Sequence, residues 1–319
     1  MQVKKQKITD DYAIYCGDCV EVLEDIGSES VGFSLFSPPF ADLFKYSDDD
    51  ADMGNCSSSA FFEHFSFLVK QLARVLMPGR VVAVHCMDLP TFKRDGEAIG
   101  IWDFPGEIIR CFIDHGFIYH CPRIAIWKDP LLAAVRTKAI GLAHKQVVKD
   151  SAMIRAGIPD CIVAFRKGGD NPVPIEHKEL PFEYHGSRKV PRKLDKFLDH
   201  KDMKTNKRSH WIWQQYASPV WFDIRHTKVL PYREARDGDD EKHICPLQLD
   251  VIERCMELWS AKGDVVLSPF MGVGSEIYVA VKNGRKGIGI ELKESYCKQA
   301  IRNLRSLKQA KRSSLGYEV

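Results

Sequence analysis

The residues best suited to chemistry begin with Ser37-Pro38-Pro39-Phe40, which follow the apolar run VGFSLF. Two consecutive prolines donate no backbone N–H and hold φ near about −65°, so neither a helix nor a strand ladder continues through them. The run therefore predicts a strand that stops in a stiff, extended loop. A serine hydroxyl and a proline carbonyl held in such a loop are acceptors that need little reorganisation during a reaction.

A second candidate site lies in VVLSPFMGVGSEIYVAV, which has the pattern of strand, turn and helix. Gly272 and Gly274 allow a tight turn and close approach of a ligand, and the following helix N-terminus offers unpaired N–H groups. Glu291 ends the next predicted strand, where an acid can accept hydrogen bonds from ribose hydroxyls. Because Ile277 replaces the third glycine of a dinucleotide fingerprint, the pattern favours a nucleoside without phosphates. The alternative is an ordinary turn beside a surface glutamate.

Asp18 is a third candidate, in the stretch CGDCVEVLEDI. It can cap the helix that begins there, or it can face a ligand as the acceptor for an amino group, and the two roles are compatible. Cys16 and Cys19 form a CxxC, but no second pair follows at zinc-site spacing, so no metal is expected. The ten cysteines lie in apolar surroundings, which is typical of reduced, buried thiols.

The elements that must position these residues alternate between strand and helix. The predicted strands are 31–36, 80–86, 123–127, 160–167, 264–270 and 285–292, and the predicted helices are 61–79, 104–116, 249–260, 274–284 and 293–312. In the helix 61–79, the side chains of Phe61, Phe65, Leu68, Leu72 and Val75 share one face, and Pro78-Gly79 is expected to end it. This alternation predicts a largely parallel sheet covered by helices, in a chain of 319 residues that can form one large α/β domain.

Residues 168–223 break the pattern with proline, glycine, histidine and charge. The segment 184–210 holds nine Lys or Arg against three Asp, and Trp211, Trp213 and Trp221 follow. A basic run beside aromatic residues suits a nucleic-acid surface, because phosphates attract cations and bases stack on rings. The alternative is a solvated loop whose tryptophans pack into the core. The net charge of +3 is too small to identify a partner. No signal peptide or membrane span is evident, so a cytoplasmic protein is expected.

Taken together, the motifs resemble those of amino-group DNA methyltransferases. Ser37-Pro38-Pro39-Phe40 is similar to the catalytic (S/D/N)PP(Y/F/W) motif of that family, SPFMGVGSE to its FxGxG S-adenosylmethionine loop, and GIGIELKESYC to its ribose-binding acidic motif. GDCVEVL resembles the motif that holds the cofactor's adenine, and HICPLQL, residues 243–249, the HPxQ-type segment before the FxGxG strand. The resemblance covers about residues 14–167 and 240–305, with the motif order of the family's β class.

The resemblance implies a Rossmann-like methyltransferase fold with a seven-stranded mixed sheet, its last strands antiparallel, and an inserted target recognition region. Residues 1–167 would be the catalytic part, 168–225 the recognition region and 226–319 the cofactor-binding part. The implied catalytic residues are Ser37, Pro38, Pro39 and Phe40. The implied S-adenosylmethionine residues are Asp18, Cys19, Pro246, Gln248, Ser268, Pro269, Phe270, Gly272, Gly274, Ser275, Glu276 and Glu291. The residues expected to bind nucleic acid are Arg188, Lys189, Arg192, Lys193, Lys207 and Arg208.

The implied reaction is methyl transfer to the exocyclic amine of a base flipped out of DNA. In the family, SPP with an aromatic residue is usual for cytosine N4 and DPPY for adenine N6, so cytosine N4 is favoured and adenine N6 is the alternative. Cytosine C5 methylation would need a Pro-Cys nucleophile, which the chain lacks. A DNA-binding relative without activity, and RNA or protein amides as substrates, are further alternatives. A homodimer is compatible with the family, and a restriction endonuclease partner is left open.

Two positions depart from the family pattern. Ser268 stands where the family commonly has an Asp that holds the methionine ammonium group, and Asp18 or Glu276 can replace it in that role. In HICPLQL, Ile244 and Cys245 separate His243 from Pro246, whereas the family usually has these two residues adjacent in the sequence. Neither departure touches the chemistry of the SPPF stretch.

Overall fold

Strands and helices alternate along the chain in the computed structural model, which describes residues 3–39, 53, 58–91, 100–136, 148, 157–175, 182–197, 202, 204–235 and 246–315. The strands are β1 Lys5–Ile8, β2 Tyr12–Cys16, β3 Val31–Phe36, β4 Leu76–Met87, β5 Leu89–Thr91, β6 Gly100–Trp102, β7 Phe117–Ile126, β8 Asp160–Lys167, β9 Val220–Trp221, β10 Val265–Ser268 and β11 Lys286–Glu291. The helices are α1 Cys19–Glu24, α2 Ser58–Val75, α3 Phe104–Asp114, α4 Pro130–Arg136, α5 Lys207–Tyr216, α6 Leu249–Trp259, α7 Ser275–Lys282 and α8 Glu294–Leu315.

The amphipathic helix α2 confirms the predicted apolar face. All five of its predicted core side chains are fully buried, namely Phe61, Phe65, Leu68, Leu72 and Val75. The predicted end of this helix was wrong, because it stops at Val75 and β4 begins at Leu76. Pro78 and Gly79 instead lie inside β4, at an irregularity in its pairing with β3. Val31 pairs with Leu76 and Phe33 with Val81, so β4 has extra residues between these two pairs. Such a bulge accommodates a residue without an N–H and a glycine whose φ is 70°.

One mixed sheet of nine strands organises the described residues, in the order β1-β2-β11-β10-β3-β4-β8-β7-β9. Every strand from β2 to β9 in this order points the same way except β8, which pairs antiparallel with both β4 and β7. The edge strand β1 pairs antiparallel with β2. The carboxyl ends of seven strands therefore lie along one edge of the sheet.

Helices cover both faces of this sheet. On one face, α6 and α7 pack against Phe33, Leu35 and their neighbours, and α8 continues that layer over β2. On the other face, α1, α2 and α3 bury Phe36 and the alternate residues of β4 and β8. Both faces of the central strands are thus apolar, as a sheet between two helical layers requires.

The predicted fold class, a mixed α/β sheet of the methyltransferase type, is confirmed. The described sheet has nine strands rather than seven. The additional strands are short or polar: β1 is the largely exposed KQKI, and β9 has only two residues. Neither carries the periodicity that would reveal it in the sequence. Among the helices that the structure describes, none is long and apolar enough to cross a membrane.

Candidate active site

The two main motifs meet at the middle of the sheet's carboxyl edge. The strand before the glycine loop, β10, lies beside β3 in parallel, with Leu267 paired to Ser34. From this point the chain turns in opposite directions: β10 connects through α7 to β11 on one side, and β3 connects through α2 to β4 on the other. A crevice opens outside the strand ends at such a switch point, and α/β sheets commonly bind ligands there. Ser37 and Gly272 lie on its two sides.

Ser37 begins the loop after β3 and is half-buried. Its Oγ lies 3.1 Å from His85 Nδ1 and 3.3 Å from the His85 carbonyl oxygen, so the neighbouring strand β4 holds the hydroxyl in place. Pro38 is buried and Pro39 is half-buried. The loop thus presents a fixed hydroxyl at the crevice, as the proline pair predicts. Phe40 lies outside the described residues.

Sequence reasoning missed three residues behind Ser37. His85 Nε2 lies 3.5 Å from Asp160 Oδ2, and Lys128 Nζ donates a hydrogen bond to Asp160 Oδ1. Burial alone would raise the pKa of Asp160, but the neighbouring His85 and the Lys128 ammonium lower it to about 2. Asp160 is therefore a buried carboxylate at neutral pH. No spacing rule connects these residues, because they come from three different strand ends.

The glycine loop has the backbone conformation that its sequence requires. Gly272 and Gly274 have φ of 50° and 84°, which favours glycine. A Cβ on Gly274 would lie 2.9 Å from the Ala300 Cβ, whereas nothing lies within 4 Å of a Cβ on Gly272. Glu291 holds the loop, since its Oε2 accepts a hydrogen bond from the Gly272 N–H at 3.0 Å. The loop therefore leaves open space at Gly272, beside the carboxylate.

Asp18 follows β2, on the far side of β11, and Gly17 N donates to the Glu291 carbonyl at 3.0 Å. Asp18 Oδ1 accepts from the N–H groups of Val20 and Glu21, so its role as helix cap is confirmed. Cys19 is buried, and burial raises the pKa of its thiol well above the usual value. The structure thus brings Asp18 and Glu291 to adjacent strand ends and keeps the Cys19 thiol inside the core.

Several buried polar atoms around the loop have no hydrogen-bond partner in the described part of the chain. They are Gln248 Oε1, Ser268 Oγ, Ser275 Oγ and Glu276 Oε2. All four belong to residues predicted to bind the cofactor. Burial, aided by the charge of Glu291, raises the pKa of Glu276 to about 8. A bound molecule rich in hydroxyl, amino and carboxylate groups would supply the missing partners, so this donor set fits S-adenosylmethionine.

Other predicted residues have structural contacts as well. The ring of Phe270 is half-buried and lies 5.7 Å from that of Phe36, and Pro269 is buried. Pro246 lies in the segment before α6, and Gln248 is the N-cap residue of that helix without capping it through its side chain.

Within the described ranges, no group of three or more His, Cys, Asp or Glu could hold a metal ion.

The predicted basic residues lie on a separate part of the molecule, residues 182–197 and 204–216. Arg188, Lys189, Arg192, Lys193 and Lys207 are exposed, whereas Arg208 is half-buried with its Nε 3.8 Å from Asp195 Oδ1. The three tryptophans divide between the two interpretations: Trp221 is fully buried, Trp211 is half-buried and Trp213 is half-exposed. The region is therefore anchored in the core while it presents cations and one indole ring to solvent.

Two exposed aromatic residues that sequence reasoning missed lie at the same edge as Ser37. Trp127 follows β7 and Phe222 follows β9, and their exposed fractions are 49% and 48%. The Arg188 guanidinium carbon lies 4.2 Å from the centre of the Phe222 ring, so the basic region reaches this edge. Exposed rings beside a cation are the combination that stacks on nucleic-acid bases.

The fold and this crevice define the class of α/β proteins that bind a nucleoside at the carboxyl edge of their sheet. Comparison with models of protein families identifies the family within this class. The family model N6_N4_Mtase, described as DNA methylase, matches residues 31–302, so the chain belongs to this family of DNA methylases.

Similar proteins include two Type II methyltransferases. M.MthZI of Methanothermobacter thermautotrophicus is 24% identical over 254 residues, covering 77% of this chain and 60% of the relative. M.BamHI of Bacillus amyloliquefaciens is 23% identical over 301 residues, covering 91% of this chain and 57% of the relative. The chain thus spans less than two thirds of the length of these relatives.

Solved structures show the same fold. The PvuII DNA methyltransferase (cytosine-N4-specific) is 16% identical with a TM-score of 0.61, covering 97% of this chain and 94% of that one. The putative DNA modification methylase TTHA0409 of Thermus thermophilus, complexed with S-adenosyl-L-methionine, is 19% identical with a TM-score of 0.61, covering 93% and 96%. At the level of the family, the prediction of S-adenosylmethionine as the cofactor is confirmed.

Proposed function

We propose that this protein transfers a methyl group from S-adenosylmethionine to the exocyclic amine of a base in DNA, with N4 of cytosine as the favoured target. One observation carries this proposal: the Ser37 loop and the Gly272 loop leave neighbouring parallel strands at the same edge of the sheet. An acceptor for the amine and a cradle for the cofactor therefore face one crevice. The preference for cytosine depends on the resemblance of the SPPF stretch, since a serine can accept an N–H from either base.

Bound S-adenosylmethionine would supply an electrophilic methyl group on a sulfonium. Glu291 accepts from its ribose hydroxyls, and the Gly272 loop leaves space for it. Glu276 takes the part of the missing Asp at position 268: its carboxyl is buried, and Oε2 has no partner among the described residues. A cationic group such as the methionine ammonium would favour the ionised form of Glu276. Ser275 and Gln248 supply further acceptors beside it.

Ser37 acts on the base. The exocyclic amine is a poor nucleophile because its lone pair is delocalised into the ring. When Ser37 Oγ and the Pro38 carbonyl accept its two N–H bonds, the nitrogen moves towards tetrahedral geometry and its lone pair points at the methyl group. The prolines hold these acceptors in advance, so little reorganisation is needed. The target base must leave the duplex to reach this site, and the resemblance implies Phe40 as its stacking partner.

The recognition region is proposed as residues 168–225. Its exposed cations Arg188, Lys189, Arg192 and Lys193, together with Lys207, would contact phosphates. Phe222, which belongs to this region, and Trp127 follow strands that end at the same edge of the sheet as β3, where their exposed rings can stack on bases that the duplex exposes after flipping. Arg208 contributes less to this surface because Asp195 is close to it.

Nucleoside mass spectrometry tests the proposal. The chain is expressed in a host without DNA methyltransferases, and the host DNA is hydrolysed and compared with DNA from cells that express a Ser37→Ala variant. N4-methylcytosine in the first sample only is expected. N6-methyladenine instead would overturn the choice of base and keep the reaction.

A second measurement separates an enzyme from a DNA-binding relative that has lost activity. Isothermal titration of the purified protein with S-adenosylmethionine is expected to show binding with one site per chain. If neither methylated base nor cofactor binding is found while DNA still binds, the proposed activity is wrong. A methyl-transfer competition between duplex DNA, single-stranded DNA and RNA then identifies the nucleic acid used.

A further inference from the structure

Behind Ser37, three polar side chains follow one another into the sheet, and His85 Nε2 makes no hydrogen bond among the described residues. Ser37 Oγ is 3.1 Å from His85 Nδ1, and His85 Nε2 is 3.5 Å from Asp160 Oδ2. Lys128 Nζ, the last group of the chain, donates a hydrogen bond to Asp160 Oδ1. His85 and Asp160 are only 8% and 6% exposed, so water screens their interaction little.

The sheet pairing brings these residues together. Asp160, the first residue of β8, is paired with Met87 on β4 and with Ile126 on β7. His85 lies two residues before Met87 on β4, and Lys128 lies two residues after Ile126. Because β8 runs antiparallel between two strands that run parallel to each other, its beginning meets their ends. The polar chain is therefore a product of the strand order.

The Asp160 carboxylate determines how the chain is polarised. A carboxylate beside Nε2 favours the imidazole tautomer that carries its hydrogen on Nε2, which leaves Nδ1 as an acceptor. The Ser37 hydroxyl then donates its hydrogen towards His85, either to Nδ1 or to the carbonyl oxygen. The lone pairs of Oγ consequently face the crevice, where the amine must find an acceptor.

We propose that His85 is a positioning residue that keeps the Ser37 hydroxyl in the acceptor orientation and receives, through Ser37, the proton that the methylated amine must lose. This inference rests on the proposed function and extends it. Asp160 stabilises the resulting imidazolium, and Lys128 holds Asp160.

The transfer balances in protons and charge. As the amine nitrogen gains the methyl carbon, the bond from that carbon to sulfur breaks and its electron pair stays on the sulfur. The nitrogen becomes positively charged and gives one N–H proton to Ser37 Oγ. At the same time the Ser37 O–H proton passes to His85 Nδ1, so the serine is regenerated. One proton has moved from the amine to the imidazole, which later returns it to solvent.

The charged groups found along this chain in the described residues are Asp160 from β8, beside His85, and Lys128 after β7, which contacts Asp160. On its own strand end, Asp88 has Asp103 and Arg123 as charged neighbours, and burial raises the pKa of its carboxyl. The thiols of Cys86 and Cys161 lie 3.8 Å apart next to the chain, and burial raises the pKa of Cys86 well above its usual value. The Cys86 thiol is therefore uncharged in the pH range of the test.

Single-turnover methyl transfer, measured as a function of pH, tests the proposal. The protein in excess, preloaded with S-adenosylmethionine carrying a tritiated methyl group, is mixed with unmethylated genomic DNA and quenched. The parent rate is expected to fall on the acidic side, because a protonated His85 cannot accept the serine proton. His85→Asn keeps a polar group near the Nδ1 position but cannot take up a proton. It should lower the rate on the order of 100-fold and leave cofactor binding unchanged. It should also abolish the fall in rate at acidic pH, which is the acidic limb of the pH profile. His64→Asn, on the exposed side of α2, is the matched control with parent behaviour.

Two further variants give opposite signatures, which a merely structural role would not produce. Asp160→Asn removes the negative charge beside His85, so the acidic limb should move to lower pH. Lys128→Met removes a positive charge from a side chain that is 23% exposed, so the limb should move to higher pH. If His85→Asn does not fold, these two shifts still decide the matter.

A parent rate without an acidic limb, or a limb that His85→Asn, Asp160→Asn and Lys128→Met leave in place, would overturn the role of His85. Either result would leave the proposed function intact, because the parent still transfers methyl groups. Failure of the parent to transfer any methyl group, with cofactor binding absent, would instead contradict the proposed function and the relay with it.

Discussion

The two sides of the crevice are built in different ways. On the side proposed for the cofactor, the ends of β2, β11 and β10 present short local motifs: a helix cap at Asp18, a strand-end acid at Glu291 and a glycine turn after Ser268. On the side proposed for catalysis, the single motif residue Ser37 is backed by His85, Asp160 and Lys128, which come from three other strand ends. The cofactor side is thus a set of adjacent local structures, whereas the catalytic side is one polar chain. Damage to the first should therefore appear in binding and stability, and damage to the second in the rate.

Ser37→Ala is the strongest way to break the catalytic side. Loss of the acceptor should lower the single-turnover rate of methyl transfer about 10²–10³-fold, as removal of one preorganised hydrogen-bonding group commonly does. Affinity for S-adenosylmethionine, measured by calorimetry, should stay within about twofold of the parent value. Ser66→Ala on α2 serves as the control for the same chemical change. Equal rates for Ser37→Ala and the parent would remove Ser37 from the mechanism.

Glu276→Gln tests the cofactor side through pH. The pKa of Glu276 is raised from 4.5 to about 8 in the folded protein. Between these values the folded state holds a proton that the unfolded state has lost, so the stability of the parent falls as pH rises, by at most about 1.4 kcal/mol per pH unit. The glutamine variant should lack this contribution and gain in relative stability towards pH 8. Urea unfolding of both proteins without cofactor, from pH 5 to 8.5, measures the difference. Parallel curves would contradict the raised pKa.

Gly274→Ala should damage the glycine turn by two effects at once. The positive φ strains alanine, and the new Cβ would lie 2.9 Å from the Ala300 Cβ. We expect a loss of roughly 2 kcal/mol in the free energy of unfolding. Gly263→Ala is the matched control, because its φ is 85° but nothing lies within 4 Å of the added Cβ. The difference between the two variants in urea unfolding isolates the contact with α8. Equal losses would mean that this contact contributes nothing.

The smallest effect is expected on the surface that belongs to neither side. Replacing Arg192 and Lys193 with glutamate should weaken DNA binding. It should also reduce the slope of the logarithm of the binding constant against the logarithm of salt concentration by about one to two. The control variant, Lys262→Glu with Lys286→Glu, makes the same change in net charge on exposed residues at the amino ends of β10 and β11. Fluorescence anisotropy with labelled duplex DNA across a salt series compares the variants. An unchanged slope for Arg192 and Lys193 would show that they do not meet phosphates.

Local sequence predicted much of the fold because the signals are contiguous. The strand 160–167 is confirmed with both its bounds, and α6, α7, β10 and β11 lie within a few residues of the predicted bounds. The errors arose where a local rule met a tertiary constraint. Pro78-Gly79 normally ends a helix, but here these residues are accommodated by a bulge in β4. The edge strands β1 and β9 gain their partners only from the completed sheet.

By itself, the sequence determined the parts of the crevice that a few neighbouring residues can encode: the stiff turn after β3, the glycine turn after β10, the cap at Asp18 and the acid at Glu291. Only the tertiary structure decided that β3 and β10 are neighbours and that His85, Asp160 and Lys128 gather behind Ser37. The physical reason is that backbone dihedrals and caps depend on adjacent residues, whereas strand order follows from burying both faces of the whole sheet. His85 in VVAVHCMD gives no local sign of its contact with a serine 48 residues earlier.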